Sequence, residues 1–217
     1  AGIAVSAIGV PESIQVGGWE WKWGLAGVAL SVIGLVWLIN LNNFMDGIDG
    51  LCGGHMTAVS LVLAGLIAYR EPSSPMPGHF LITAAACAGF LAWNWPPARI
   101  FLGDSGSGSL GFVYGALVLA AVKLGTLDLW SALIPFGGFV ADSTLTLVRR
   151  MLSGQAFLEA HRSHAYQQAS RRYGHRPVTL AALSAVLFWL APAAVAASLR
   201  PSEGALILAI AWTPLVV

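Results

Sequence analysis

Charge is what this sequence has least of. Asp, Glu, Lys and Arg together make up 10% of its 217 residues, where a soluble domain carries roughly 25%. So few charges cannot cover the surface of a water-soluble domain, which excludes a soluble enzyme. The low hydrophobicity and high net charge that keep chains disordered are also missing. A net charge of +1 points to no partner by itself, and no nucleic-acid ligand is expected. Cysteine is almost absent: Cys52 and Cys87 stand far apart with no CxxC spacing. They read as small apolar fillers, neither a disulfide framework nor a zinc site. Ala1–Val10 lacks a basic n-region, so it is not a signal peptide. It reads instead as the tail of a membrane helix, and the chain as the C-terminal part of a longer one. Internal repeats, low-complexity tracts and linkers are missing too, so residues 1–217 are expected to form a single membrane-embedded domain.

What the sequence does have is apolar length. Apolar residues make up 57% and mean hydropathy is +0.74. A helix crossing the bilayer core needs about 20 mostly apolar residues. After the partial first segment the candidates are Trp23–Ile39, His55–Tyr69, His79–Trp95, Leu110–Val122, Trp130–Val148, Leu180–Leu199 and Gly204–Val217. None shows the short alternating strands of a membrane barrel. The expected fold is all-α: a polytopic transmembrane helical bundle of about seven full helices plus a partial first one, with its active site in cytoplasmic loops.

The connections sort by parity. One side receives the loops around 40–54, 94–109 and 149–178, with Arg99, Arg149, Arg150, Arg162, Arg171, Arg172 and Arg176. The other side has only Lys22, Arg70, Lys123 and Arg200. The basic excess places the first side in the cytoplasm. Most tryptophans fall near predicted helix ends, as interfacial aromatics do. The polar clusters all lie on the cytoplasmic side.

The first cluster runs from Asn40 to Leu51. Asn40, Asn43 and Asp46 or Asp49 recur every three residues, so a helix end would align them on one face. Gly47, Gly50, Gly53 and Gly54 let the backbone approach a ligand. A helix cap followed by a glycine turn explains one Asp, but not two Asp and three Asn in the ten residues Asn40–Asp49. Paired carboxylates beside amides suit a divalent cation, or acid–base work next to one.

The second cluster spans Asn94 to Ser109. Asp104, between glycines and the hydroxyls of Ser105 and Ser107, opens a new helix whose free N–H groups favour phosphate. It is not a Walker A loop, since no Gly-Lys-Ser/Thr follows. A bland alternative is an N-cap Asp followed by a small-residue packing face.

The third is the Arg149–Val178 loop, where six Arg accompany His161, His164 and Tyr166. Such a patch complements a diphosphate, although the inside-positive bias accounts for Arg149, Arg150, Arg171 and Arg172 equally well. The two His are not read as metal ligands, because Mg²⁺ prefers oxygen. Asp142, inside an apolar segment, is either functional or paired with a nearby Arg. His55 and His79 read as interfacial.

At these residues the chain resembles the polyprenyl-phosphate N-acetylhexosamine-1-phosphate transferases, a superfamily that includes phospho-MurNAc-pentapeptide translocase and the initiating transferases for O-antigen and common antigen. Asn40-x-x-Asn43-x-x-Asp46-Gly47-x-Asp49-Gly50-Leu51 is similar to its first signature. Phe101-Leu102-Gly103-Asp104-Ser105-Gly106-Ser107 is similar to its second. His161-Arg162-Ser163-His164-Ala165-Tyr166-Gln167 resembles the His loop of the O-antigen branch. The resemblance implies transfer of a sugar-1-phosphate from a UDP-sugar to undecaprenyl phosphate, with release of UMP, at the cytoplasmic face of a bacterial inner membrane. It implies Mg²⁺, or Mn²⁺ in its place, on Asp104. Asn40, Asn43, Asp46, Asp49, His161 and His164 would be catalytic, and Asn94, Phe101, Ser105 and Arg162 would bind substrate. A homodimer is left open.

One expected feature is missing. The family carries an adjacent Asp-Asp pair on an earlier helix, and no adjacent acidic pair occurs here. The pair is expected upstream of Ala1, and the chain alone is expected to be inactive. Two other classes compete: a metal-dependent polyprenyl-diphosphate hydrolase, using the same Asp and His types with water as acceptor, and a transporter. A transporter would place its polar groups at the bilayer midplane, whereas these lie at helix ends.

Overall fold

Long apolar runs satisfy their backbone in lipid only as helices or closed barrels, and this chain forms helices. The computed structural model describes residues 1–17, 19–154 and 163–216. A short helix α1 (Gly2–Ile8) leads into a hairpin of β1 (Ser13–Val16) and β2 (Trp19–Lys22), followed by α2 (Gly24–Phe44), α3 (Leu51–Arg70), α4 (Met76–Asn94) and α5 (Gly103–Lys123). Then come α6 (Leu129–Leu133), α7 (Gly137–Leu152), α8 (Ala165–Tyr173), α9 (His175–Ala185), α10 (Ala191–Leu199) and α11 (Gly204–Val216).

Six segments are long and apolar enough to cross a membrane: α2, α3, α4, α5, Leu129–Leu152 and His175–Leu199. The protein is an all-α, multi-pass membrane protein. The seventh expected segment is present as α11, but its 13 residues reach only about 20 Å, short of the ~30 Å hydrocarbon core. Both composite spans change winding near a proline. Pro135 lies in a 3₁₀ turn between α6 and α7, and Pro192 follows a π turn over Val186–Leu190. Each proline lacks the N–H its turn would donate, so the ladder shifts around it.

The hairpin stands where a loop was expected. Ile14 pairs with Trp21 and Val16 with Trp19, so apolar residues alternate along both strands with the period of two that defines a strand.

The core is centred on α3, where Met56, Val59, Leu63 and Ile67 are fully buried. His55 is buried there as well. Its ring stacks on Phe139 with centroids 3.7 Å apart, which corrects its interfacial reading: it sits one turn inside α3, facing the core and not the lipid. Small residues bring α2 against α5. A Cβ on Gly111 would stand 2.8 Å from the Ile39 Cα, and one on Gly115 would press into Leu35 and Leu38. The small-residue reading of the second cluster therefore holds for its helical continuation. It does not extend to Asp104, which is not the cap of α5, since Leu102 occupies that position.

This topology brings the C-terminal ends of α2, α4 and α7 and the N-terminal ends of α3, α5 and α9 to one end of the bundle, as the loop parity requires.

Candidate active site

α2 stops at Phe44, before the first cluster ends. Asp46 therefore sits in the link to α3, where helical spacing no longer governs. Asn43, still on α2, faces α5: its Nδ2 donates to Asp104 Oδ1 at 3.0 Å and to Ser107 Oγ at 3.3 Å. Asn40 turns away. It is exposed, and its Nδ2 bonds the Val36 carbonyl of its own helix at 2.8 Å. The alignment of Asn40, Asn43, Asp46 and Asp49 on one face is thus corrected: the helix ends too early to carry it.

Gly47 follows Asp46 at a point of close approach. A Cβ there would overlap the Tyr166 hydroxyl and stand 2.9 Å from Gln167 Nε2. The absence of a side chain lets α8 lie against this link, and the Tyr166 hydroxyl donates to the Phe44 carbonyl at 2.7 Å.

Asp49 and Asn94 tie the loops together. The buried Asn94 accepts from the Gly50 amide at 2.9 Å and donates to the Ile100 carbonyl at 2.8 Å. Asp49 Oδ2 accepts from the Ala98 amide at 3.1 Å, and its carbonyl accepts from Thr179 Oγ1 on α9 at 2.9 Å. Nδ1 of His175 lies 3.2 Å from Asp49 Oδ2 and 3.3 Å from the Asp49 amide.

The result is a cavity of about 310 Å³ lined by Asn43, Asp46, Asp49, Asn94, Phe101, Asp104 and His175, with Gly47, Ile48, Leu102 and Gly103 as backbone wall. Phe101 stands exposed at its rim. Burial pushes the Asp46 carboxyl up to about 7; the Gly103 backbone hydrogen bond opposes this and the Asp104 charge adds to it. A carboxyl held near neutrality in a cleft is a common mark of chemistry.

The third cluster behaves differently. His161 and Arg162 lie outside the described residues. His164 is buried away from the cavity, its Nδ1 3.3 Å from Asp142 Oδ1 and its ring stacked on Phe44. Asp142 also accepts the amides of Ala165 at 2.9 Å and Tyr166 at 3.0 Å. It caps the start of α8, and among the described residues its ion-pair partner is His164 and not an Arg. Ser105 is exposed and does not line the cavity.

Two lining or supporting residues escaped the sequence reading. Ser107 was seen only as one hydroxyl among several, and its burial against Asn43 depends on α2–α5 packing. His175 lies within the Arg149–Val178 loop but was given no role there; the helix start after Gly174 was its only local signal.

Residues 2–122, which include the first two clusters, match the glycosyl transferase family 4 pattern. The chain belongs to that family. Among curated relatives it is 36% identical over 135 residues to a phospho-N-acetylmuramoyl-pentapeptide-transferase of Thermosynechococcus vestitus, covering 62% of this chain and 33% of the relative. It is 30% identical over 152 residues to a probable undecaprenyl-phosphate N-acetylglucosaminyl 1-phosphate transferase of Bacillus subtilis, covering 69% and 42%. It is 30% identical over 177 residues to a decaprenyl-phosphate N-acetylglucosaminephosphotransferase of Mycolicibacterium smegmatis, covering 72% and 44%. The matched part of this family 4 chain therefore spans a third to under half of these relatives' length.

Proposed function

We propose that this family 4 chain carries the donor-side active site of a bacterial polyprenyl-phosphate sugar-1-phosphate transferase. In this reading it moves an N-acetylhexosamine-1-phosphate from a UDP-sugar to undecaprenyl phosphate at the cytoplasmic face of the inner membrane. The observation that carries the reading is the meeting of Asp46, Asp104 and Asn43 in one cavity at the ends of membrane helices. A water-soluble donor and a lipid acceptor both reach that depth.

The residues fit a hard divalent cation. Asp46 and Asp104 bring like charges together, and among the described residues neither has a cationic partner. Their donors are all oxygen, as Mg²⁺ requires. Among the described residues no group of three His, Cys, Asp or Glu forms a complete cage, so substrate oxygens and water would fill the remaining positions. Asp104, with Asp46 beside it, would hold the ion. When bound, it neutralises diphosphate charge. Asn43 fixes the rotamer of Asp104, and Phe101 and Asn94 shape the wall against which the nucleotide lies. An oxygen of the lipid phosphate forms a bond to the sugar-bearing phosphorus, and the bond from that phosphorus to the oxygen of UMP breaks. Such transfer needs positioning and charge neutralisation more than covalent help.

The test uses the full-length parent in detergent with Mg²⁺, UDP-GlcNAc and undecaprenyl phosphate. UMP release that requires the lipid and is lost with EDTA supports the transferase. Release of inorganic phosphate from a polyprenyl diphosphate, without any donor, would favour a hydrolase instead.

A further inference from the structure

Beside the carboxylate cavity lies a second chamber of about 370 Å³, bounded by Gly47, Ile48, Gln167, Ser170, Arg171 and His175. The two chambers share Gly47, Ile48 and His175, so one ligand bridging them would pass over a side-chain-free glycine and along the imidazole. Their chemistry is opposite. Three aspartates line the first, whereas the described lining of the second has none and carries a guanidinium, an imidazole, an amide and a hydroxyl.

The second chamber is held by ordinary helix geometry. Gln167 and Arg171 are four residues apart on α8 and so share a face; Ser170 lies beside them. Arg171 has no carboxylate partner among the described residues. His175 opens α9 and is held through Nδ1 by Asp49, whose side chain is only 18% exposed and which also grips the Ala98 amide. With Nδ1 committed to Asp49, Nε2 is the ring nitrogen left for a ligand. The Asp49 amide donates to Nδ1 at 3.3 Å, so the neutral ring carries its proton on Nε2 and can donate it to a ligand.

We propose that this second chamber is a phosphate-binding subsite, with Arg171 and His175 as its ligand contacts. A guanidinium beside an imidazole N–H suits phosphate oxygens. An anion entering the acidic cavity alone would meet like charge, and a basic chamber across the shared wall offsets that. The phosphate belongs to one of two sources, the diphosphate of the sugar nucleotide or the monophosphate of the lipid. The proposal rests on the transferase reading and goes beyond it: it singles out Arg171 among the six arginines of the Arg149–Val178 loop and adds His175, to which the sequence gave no role.

The experiment is steady-state kinetics of the full-length protein, with the concentrations of UDP-GlcNAc and undecaprenyl phosphate varied separately. Arg171→Ala and His175→Ala are each expected to raise KM for one substrate about tenfold, with kcat and the other KM within about twofold. The substrate whose KM moves identifies the source. Arg171→Lys should recover part of the loss. Thermal unfolding of Arg171→Ala should match the parent, because a structural role would lower its midpoint. Unchanged KM for both substrates in Arg171→Ala and His175→Ala would overturn the proposal while leaving the transferase reading intact. A parent that releases no UMP would defeat that reading separately. Binding of inorganic pyrophosphate would then decide on the subsite: retention in Arg171→Ala and His175→Ala would overturn it, and loss in both would support it.

Discussion

The two ends of the bundle handle charge in opposite ways. At the hairpin end, Arg70 and Asp128 pair at 3.0 Å; Arg70 also bonds the Ser198 carbonyl at 3.3 Å, while Asp128 accepts the Ser131 amide at 2.9 Å. Those charges neutralise each other and pin three segments. At the other end, Asp46 and Asp104 share a cavity with each other, and burial drives the Asp46 carboxyl toward neutrality. Asp142 and Asp49 at that end are spent on backbone amides and imidazoles. A charge answered within the chain holds structure together, and one left unanswered at a cleft is available to a ligand.

That contrast breaks most visibly at Asp104. Replacement by Asn in the full-length protein should reduce lipid-dependent UMP release by about 10²–10³-fold, the usual cost of losing a preorganised charge contact, with an unchanged unfolding midpoint. The hairpin end should show the reverse. Arg70→Ala or Asp128→Ala should cost about 2–3 kcal/mol of stability by stranding a partly buried charge, seen as a lower midpoint, with activity per folded molecule retained. Packing between the ends is sharpened by Gly111→Ala. Its Cβ would meet α2 backbone, so about 1–3 kcal/mol of overpacking strain is expected, together with a drop in activity as Asn43 moves off Asp104.

Smaller effects follow from Asp46 and Asn40. The folded pKa of Asp46 lies above its unfolded value of about 4, so the protonated carboxyl favours the fold. That contribution is complete below about pH 4 and is lost as pH rises through about 7. Without divalent cation, Asp46→Asn should therefore gain in midpoint relative to the parent between pH 5 and pH 8, and added Mg²⁺ should narrow the gap. Asn40→Ala should change activity less than twofold, whereas Asn43→Ala should lose about tenfold, the worth of one hydrogen bond to a charged group.

Much of this was legible in the chain. All six membrane-crossing segments, the common end of the polar loops, and the pairing of the first two clusters followed from apolar length, loop parity and side-chain type, which are local. What was misread depended on direction. Asn40 and Asn43 look equivalent at a three-residue spacing, but only Asn43 faces α5. His55 looked interfacial and is enclosed by Phe139. His164 read as part of a loop patch for a diphosphate and Asp142 as a polar residue inside an apolar segment, and together they form the start of α8.

The amino-acid sequence by itself determined that the protein lives in a membrane as helices, because long apolar runs without the alternation of barrel strands satisfy their backbone in lipid only that way. It also determined which loops carry oxygen and nitrogen ligands. The tertiary structure alone decided which of those ligands meet. Asp46 joins Asp104 across nearly sixty residues because glycines at 111 and 115 let α2 and α5 touch. His175 enters the site because Thr179 and Asp49 dock α9 on the α2–α3 link. Contacts between residues this distant in the chain are set by packing, and no local pattern encodes them.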